Sequence, residues 1–304
     1  MTKPVVEIPR HSSFSQLSSM LKCGMQWYLE RGLHLPSLEN WGSVGGAAVH
    51  SATEVWDKNL LVQGACDTEP RHAETLFQAA FEAEIALREE RTGTSHTEWR
   101  ATGRASKEWP NKRDRAWWER NGPLMVQRWI TWRLNSDWEV APLDDGTWAI
   151  EVPFEITIGG VTLRGYIDRV MSLPFDGVLD YKVVDIKTGM SKPDGEQLDF
   201  YSLGFASQTG IFPGWGEFWD GNSGSSSVPI RLDRRDDYLE AKVAGVRQMQ
   251  EAGLYFPNPS NLCASCGVAE FCPAKGTRSH EAVMPWEAEI KLREPLALAS
   301  DGMS

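Results

Sequence analysis

Residues 147–188 constrain this chain more than any other stretch. TWAIEVPFEITI (147–158) alternates apolar and polar residues, the period of a half-buried strand. Gly159-Gly160 suits a two-residue hairpin turn, and VTLRGYIDRV (161–170) is the partner strand. A loop, SLPFDGVLD, leads to YKVVDIKT (181–188), a third strand rich in β-branched residues. Such a meander needs another layer to cover its apolar face.

The flanking sequence supplies that layer. Residues 12–33 read as a helix capped by Ser13 or Ser15, with Phe14, Leu17, Leu21 and Met25 at helical spacing. Further helices are predicted near 42–61, 71–91 and 113–135, with a polar connection at 92–112. After the meander, 196–208 returns to helical period. IFPGWGEFW and SSVPIRL read as strands joined by GNSGSSS, and 233–252 is another helix. The order predicts an α/β core with a mixed central sheet and a helical N-terminal elaboration. One domain is expected over 1–275: a helical part (1–146), an α/β core (147–256) and a cysteine segment (257–275), followed by a polar tail (276–304).

Asp185 and Lys187 of D-I-K share one face of the third strand. If the second and third strands pair, Asp168 lies beside Asp185. Two carboxylates on adjacent strands make an oxygen-rich site suited to Mg²⁺ or Mn²⁺. A lysine on that face can help deprotonate a water or stabilise developing negative charge, which phosphodiester hydrolysis requires. A lone D-x-K is more often a surface ion pair, so its company decides. His50, after Gly45-Gly46, is a candidate further ligand, and Glu54 is one turn beyond it. Gln197 and Tyr201, spaced i, i+4, carry polar tips that can hold a phosphate or the lysine.

Five cysteines are too few for a secreted disulfide scaffold. Cys263, Cys266 and Cys272 form C-x₂-C-x₅-C-P, and Cys23 is the candidate fourth ligand. The set can hold zinc or an iron–sulfur cluster, and spacing does not choose between them. Cys66 is left as a buried free thiol. No apolar stretch approaches the ~18 residues of a membrane span, and MTKPVVEIPRHSSFS lacks a signal-peptide core. A cytoplasmic protein is expected.

The net charge of −11 argues against a nucleic-acid partner until it is resolved by region. Residues 100–133 hold nine basic and three acidic residues, interleaved with Trp109, Trp117, Trp118, Trp129 and Trp132. Cations among flat rings suit single-stranded DNA, and Arg113, Arg115, Trp117, Trp118 and Arg120 are the candidate contacts. The competing reading is an amphipathic helix with a core Trp face and a solvated Arg face.

Taken in order, S-F-S-x-L, Cys23, G-G-x-x-x-His50, G-x-I-Asp168, Asp185-x-Lys187, Gln197-x-x-x-Tyr201 and the cysteine set resemble the RecB-like branch of the PD-(D/E)XK nuclease superfamily. The resemblance is greatest to its iron–sulfur members, the exonucleases of the fourth CRISPR-associated family and the AddB nuclease domain. It implies a restriction-endonuclease-like core and a metal-dependent DNA exonuclease acting on single strands or ends. It also implies that His50, Asp168, Asp185 and the Ile186 carbonyl bind the ion, that Lys187 is catalytic, and that Gln197 and Tyr201 form the motif after it. Cys23, Cys263, Cys266 and Cys272 would ligate a 4Fe–4S cluster. Recombination, repair, phage DNA metabolism and CRISPR adaptation are the implied settings, in a bacterium or phage. The chain has no phosphate-binding G-x-x-x-x-G-K-[ST], so a helicase or recombination partner would supply unwinding. A non-catalytic DNA-binding subunit and a zinc-stapled nucleic-acid-processing protein are the alternatives.

Overall fold

The computed structural model describes residues 5–64, 67–189, 195–287 and 289–291. Its elements are β1 (Val5–Glu7), β2 (His11–Ser12), α1 (Phe14–Lys22), α2 (Gly24–Trp27), α3 (Trp41–Gln63), α4 (Pro70–Thr92), α5 (Arg115–Leu134), β3 (Glu139–Val140), β4 (Ile150–Ile158), β5 (Val161–Phe175), β6 (Val178–Lys187), α6 (Glu196–Thr209), β7 (Trp215–Asp220), β8 (Ser225–Ser226), β9 (Ile230–Arg231), α7 (Asp236–Glu251) and β10 (Glu289–Lys291). Cys66 lies outside the described residues, as do residues 292–304 of the expected tail. The chain forms two compact units, one of residues 38–156 and 164–236, the other of residues 1–37, 157–163 and 237–304.

In the larger unit, β5 and β6 are antiparallel, with Phe175 opposite Val178 and Arg169 opposite Val184. β6 and β7 are parallel, with Asp185 opposite Phe218, and α6 forms the crossover between them. β3 and β4 pair with β5, while β8 and β9 pair antiparallel with β7. The mixed α/β class expected from the sequence is present. Val184 and Ile186 face a cluster built with α3, α4 and α5, while Val183 faces one containing Leu198 and Phe205 of α6. Apolar layers on both sides explain why the run through YKVVDIK hardly alternates.

Local signals set the helix ends. Asn40 Oδ1 accepts from Ser43 N–H at 2.9 Å to start α3, and Gly64 ends it with φ +69°. Pro70 opens α4, and Asp114 caps α5 by accepting from Trp117 N–H at 2.9 Å. Trp41, Trp56, Trp99, Trp117, Trp118, Trp129 and Trp219 all lie in the α3–α5 cluster. The tryptophan excess is therefore largely core. Gly45 makes this packing possible, because a Cβ there would lie 2.0 Å from the Trp118 ring.

In the smaller unit the helix expected over 12–33 is broken. Ser13 caps α1 as predicted, but Cys23 is extended (φ −160°, ψ 99°) and separates α1 from α2. Tyr255 stacks on Trp27 and Tyr28, with centroids 5.6 and 4.8 Å apart. β2 runs parallel to the start of β5, His11 lying opposite Thr162. The region read as a polar tail is partly folded. β10 pairs parallel with β1, and Tyr28 OH donates to the Val283 carbonyl at 2.7 Å. Three residues are too few to show a strand period, which is why the sequence did not reveal β10.

Gly45→Ala is expected to destabilise the protein. Helix propensity favours Ala by ~1 kcal/mol, but overpacking against a buried indole costs ~1–3 kcal/mol. Urea denaturation reads the sign, and a net gain would show that Trp118 can move aside.

Candidate active site

The site is built at the end of β6, where the sheet opens. Pairing of β5 with β6 stops at Arg169 opposite Val184, one residue short of Asp168 and Asp185. Beyond that point the Asp168 side chain replaces the ladder, and its Oδ2 accepts from Ile186 N–H at 2.7 Å. His50 reaches the same place from α3. Its Nε2 donates to the Ile186 carbonyl at 3.0 Å, which leaves Nδ1 3.5 Å from Asp168 Oδ1 and 3.8 Å from Glu151 Oε1. The close approach depends on Gly46, where a Cβ would lie 2.9 Å from Thr188 Oγ1. Glu54 does not join the site and pairs with Lys58 at 2.6 Å.

Asp185 is buried among polar partners. Its Oδ1 accepts from Gln197 Nε2 at 2.9 Å. Its Oδ2 lies 2.6 Å from Lys187 Nζ, an ion pair whose carboxylate is almost fully buried. Lys187 Nζ donates to Gln197 Oε1 at 2.8 Å, and Gln197 Nε2 also contacts Tyr201 OH at 2.6 Å. Gln197 thus links Asp185, Lys187 and Tyr201, the residues singled out on β6 and α6.

Glu151 was not anticipated, although the hairpin encodes it. Counting back from Gly159-Gly160, Thr157 meets Thr162 and Glu155 meets Arg164, so Glu151 falls opposite Asp168. Glu151 has φ +48°, a left-handed conformation that non-glycine residues seldom adopt in a strand. Among the described residues, His50, Glu151 and Asp168 form the group whose metal-ligating atoms lie within 4.8 Å of one another.

Electrostatics follow from this crowding. Burial alone would lower the His50 pKa, but the charge and hydrogen bond of Asp168, with Glu151, outweigh it and raise the value to about 10. Burial would raise Asp168, but the His50 cation and the Ile186 N–H hold it below the usual carboxylate range. Asp185 is raised, first by burial and then by the Asp168 charge, with Lys187 opposing. Burial and the same two aspartates also push the Tyr201 hydroxyl up. Three carboxylates and an imidazole have the donor chemistry of a divalent-ion site.

The basic segment behaves otherwise. Trp117 and Trp118 are 8% and 1% exposed, so the stacking on bases expected of them is corrected: both rings are core, sealed by α3 and α4. Arg113 donates to Thr188 O at 2.9 Å and Asn222 Oδ1 at 2.8 Å, with its guanidinium over the Trp117 ring. Arg115 is held by Glu82 and Glu119 at 2.6 and 2.7 Å. Arg120 remains on the surface, 3.6 Å from Glu108.

Cys23, Cys263, Cys266 and Cys272 all belong to the smaller unit, and none of them is in a disulfide. Cys23 Sγ accepts from Asn258 N–H at 3.4 Å and Cys263 Sγ from Ser260 N–H at 3.3 Å. Burial raises the Cys266 thiol, and the charges of Glu30, Cys23 and Cys272 add to the effect. No three of these sulfurs lie within 4.8 Å of one another. A closed tetrahedral zinc site, with Zn–S of about 2.3 Å, needs them nearer.

A model of the PD-(D/E)XK nuclease superfamily matches residues 11–273, and the chain belongs to that superfamily. It is 32% identical over 179 residues to the gene 69 protein of Mycobacterium phage D29, covering 52% of this chain and 65% of that protein, less than two thirds of its length. It is 26% identical over 302 residues to the gene 69 protein of Mycobacterium phage L5, covering 86% and 95%. A crystal structure from Eubacterium rectale, of a protein provisionally named an exonuclease, aligns over 97% of this chain and 94% of that one. Its identity is 12% and its TM-score 0.37, too loose a likeness to carry an argument. No described helix is long and apolar enough to cross a membrane.

Because His50 is protonated below about pH 10, a cation ligated by Nδ1 must displace that proton. Mn²⁺ affinity is therefore expected to rise with pH, by about tenfold per unit for each proton released. Calorimetric titration at several pH values reads this, and a flat profile would remove His50 from the ligand set.

Proposed function

We propose that this chain is a deoxyribonuclease dependent on Mg²⁺ or Mn²⁺ that degrades DNA from ends or as single strands. The observation that carries the reading is the convergence of His50, Glu151, Asp168, Asp185 and Lys187 from α3, β4, β5 and β6 in a chain of this superfamily. His50, Glu151, Asp168 and Asp185, with the Ile186 carbonyl, would hold the ion. Bound there, a divalent ion supplies Lewis acidity and lowers the pKa of water, the two needs of phosphodiester hydrolysis.

The remaining work falls to side chains. Lys187, positioned by Asp185 and Gln197, brings an ammonium to the site, where it stabilises the negative charge gathering on phosphate oxygens. Gln197 fixes the direction of that ammonium, and Tyr201 fixes Gln197. Removing the ammonium should cost about 10²–10³-fold in rate, the scale for one electrostatic contact in a preorganised site.

We also assign the four cysteines to a 4Fe–4S cluster. Support comes from the donor set, four cysteines in no disulfide, two of which accept backbone N–H groups. The phage relatives favour phage DNA metabolism over the other settings.

Digestion of 5′- and 3′-labelled single- and double-stranded DNA with Mn²⁺ tests the activity. Loss of cleavage in Asp185→Ala and Lys187→Ala, with the fold intact, is expected, and full activity in either sinks the site assignment. Cys23→Ala, purified without oxygen, is expected to lose iron, brown colour and several degrees of melting temperature. A colourless wild-type protein holding zinc would replace the cluster assignment.

A further inference from the structure

We propose that Arg169 is a positioning residue for the metal-binding carboxylates and that Asp57 anchors it. The proposal rests on the reading of His50, Glu151 and Asp168 as ligands. Arg169 follows Asp168 on β5 and is fully buried. Its guanidinium offers five donors in a rigid planar fork. Nη1 donates to the Asp168 carbonyl at 2.6 Å and to Glu151 Oε1 at 3.4 Å. Nη2 donates to Thr53 Oγ1 at 3.3 Å, and the Thr53 hydroxyl donates to the His50 carbonyl at 2.9 Å. One side chain thus touches a ligand carboxylate, the backbone that carries a second ligand and, through Thr53, the helical turn that carries the third.

A buried guanidinium needs a counter-charge, and Asp57 supplies it. Asp57, also fully buried, accepts from Arg169 Nε at 2.8 Å, Arg133 Nε at 3.1 Å and Trp129 Nε1 at 3.0 Å. The Trp129 ring lies 5.4 Å from the Arg169 guanidinium carbon and limits its rotation. These contacts fix the fork, which reaches the Glu151 carboxylate. They also place one positive charge beside the Glu151 and Asp168 carboxylates. The Glu151 contact is the longest in the set, so this carboxylate can turn to an entering cation while the Asp168 carbonyl stays held.

Arg169→Lys keeps the charge and loses the fork. Its Mn²⁺ dissociation constant, read by calorimetry on the intact protein, is expected to rise at least tenfold. Arg133→Met is the control, since it removes an equally buried partner of Asp57 that touches none of Glu151, Asp168 or Thr53. It is expected to lower the melting temperature while leaving Mn²⁺ affinity within about twofold of wild type. Should Arg169→Lys fail to fold, Asp57→Asn serves. It frees Arg169 to bind Glu151 more tightly, so it too should weaken Mn²⁺ binding. Wild-type affinity in Arg169→Lys, or in Asp57→Asn where that variant serves, or equal losses in the Arg169 and Arg133 variants, overturns this proposal alone. A wild-type protein that takes up no Mn²⁺ overturns the ligand reading and this proposal together.

Discussion

Repulsion among carboxylates is the constraint on which the larger unit depends. Glu151, Asp168 and Asp185 arrive on three adjacent strands, and two of them are buried. Like charges so placed would drive the strands apart or take up protons. The chain answers in three ways. The His50 imidazolium lies against Asp168, the Lys187 ammonium against Asp185, and the Ile186 N–H against Asp168. One answer comes from α3 and two from β6, so both elements must be in place beside β5 before the site is tolerable. The raised Asp185 and His50 pKa values are what remains of the conflict.

Much of this was legible in the sequence because the relevant signals are local. The Gly159-Gly160 turn, the alternation around it and the β-branched run ending in D-I-K placed three strands, and cap residues such as Asn40 and Asp114 placed helices. His50, Asp168, Asp185, Lys187, Gln197 and Tyr201 stand out by residue type and spacing, and the structure brings them to one end of the sheet.

What stayed hidden depended on pairing or burial. Glu151 reads as one acidic residue of an alternating strand until the hairpin is counted in register. The buried network of Asp57, Arg133 and Arg169 joins residues more than seventy positions apart and leaves no periodic trace. The Trp-rich basic segment misled for a physical reason. An indole serves a core and a nucleobase equally well, and composition does not say which it meets. Here Trp118 meets Gly45, the residue whose missing side chain makes room for it.

The smaller unit carries a consequence for how the chain is made. Its residues come from both ends of the sequence, with α1 and α2 near the start and Tyr255, the C-x₂-C segment and β10 near the finish. On the ribosome, the first forty residues emerge long before their packing partners exist. Trp27, Tyr28 and the Cys23 thiol must wait, exposed, while more than two hundred further residues are synthesised. Contacts of such sequence separation form slowly and late. A nascent chain stalled before residue 255 would present those aromatic rings to chaperones and proteases, so folding of this unit waits on synthesis past that residue.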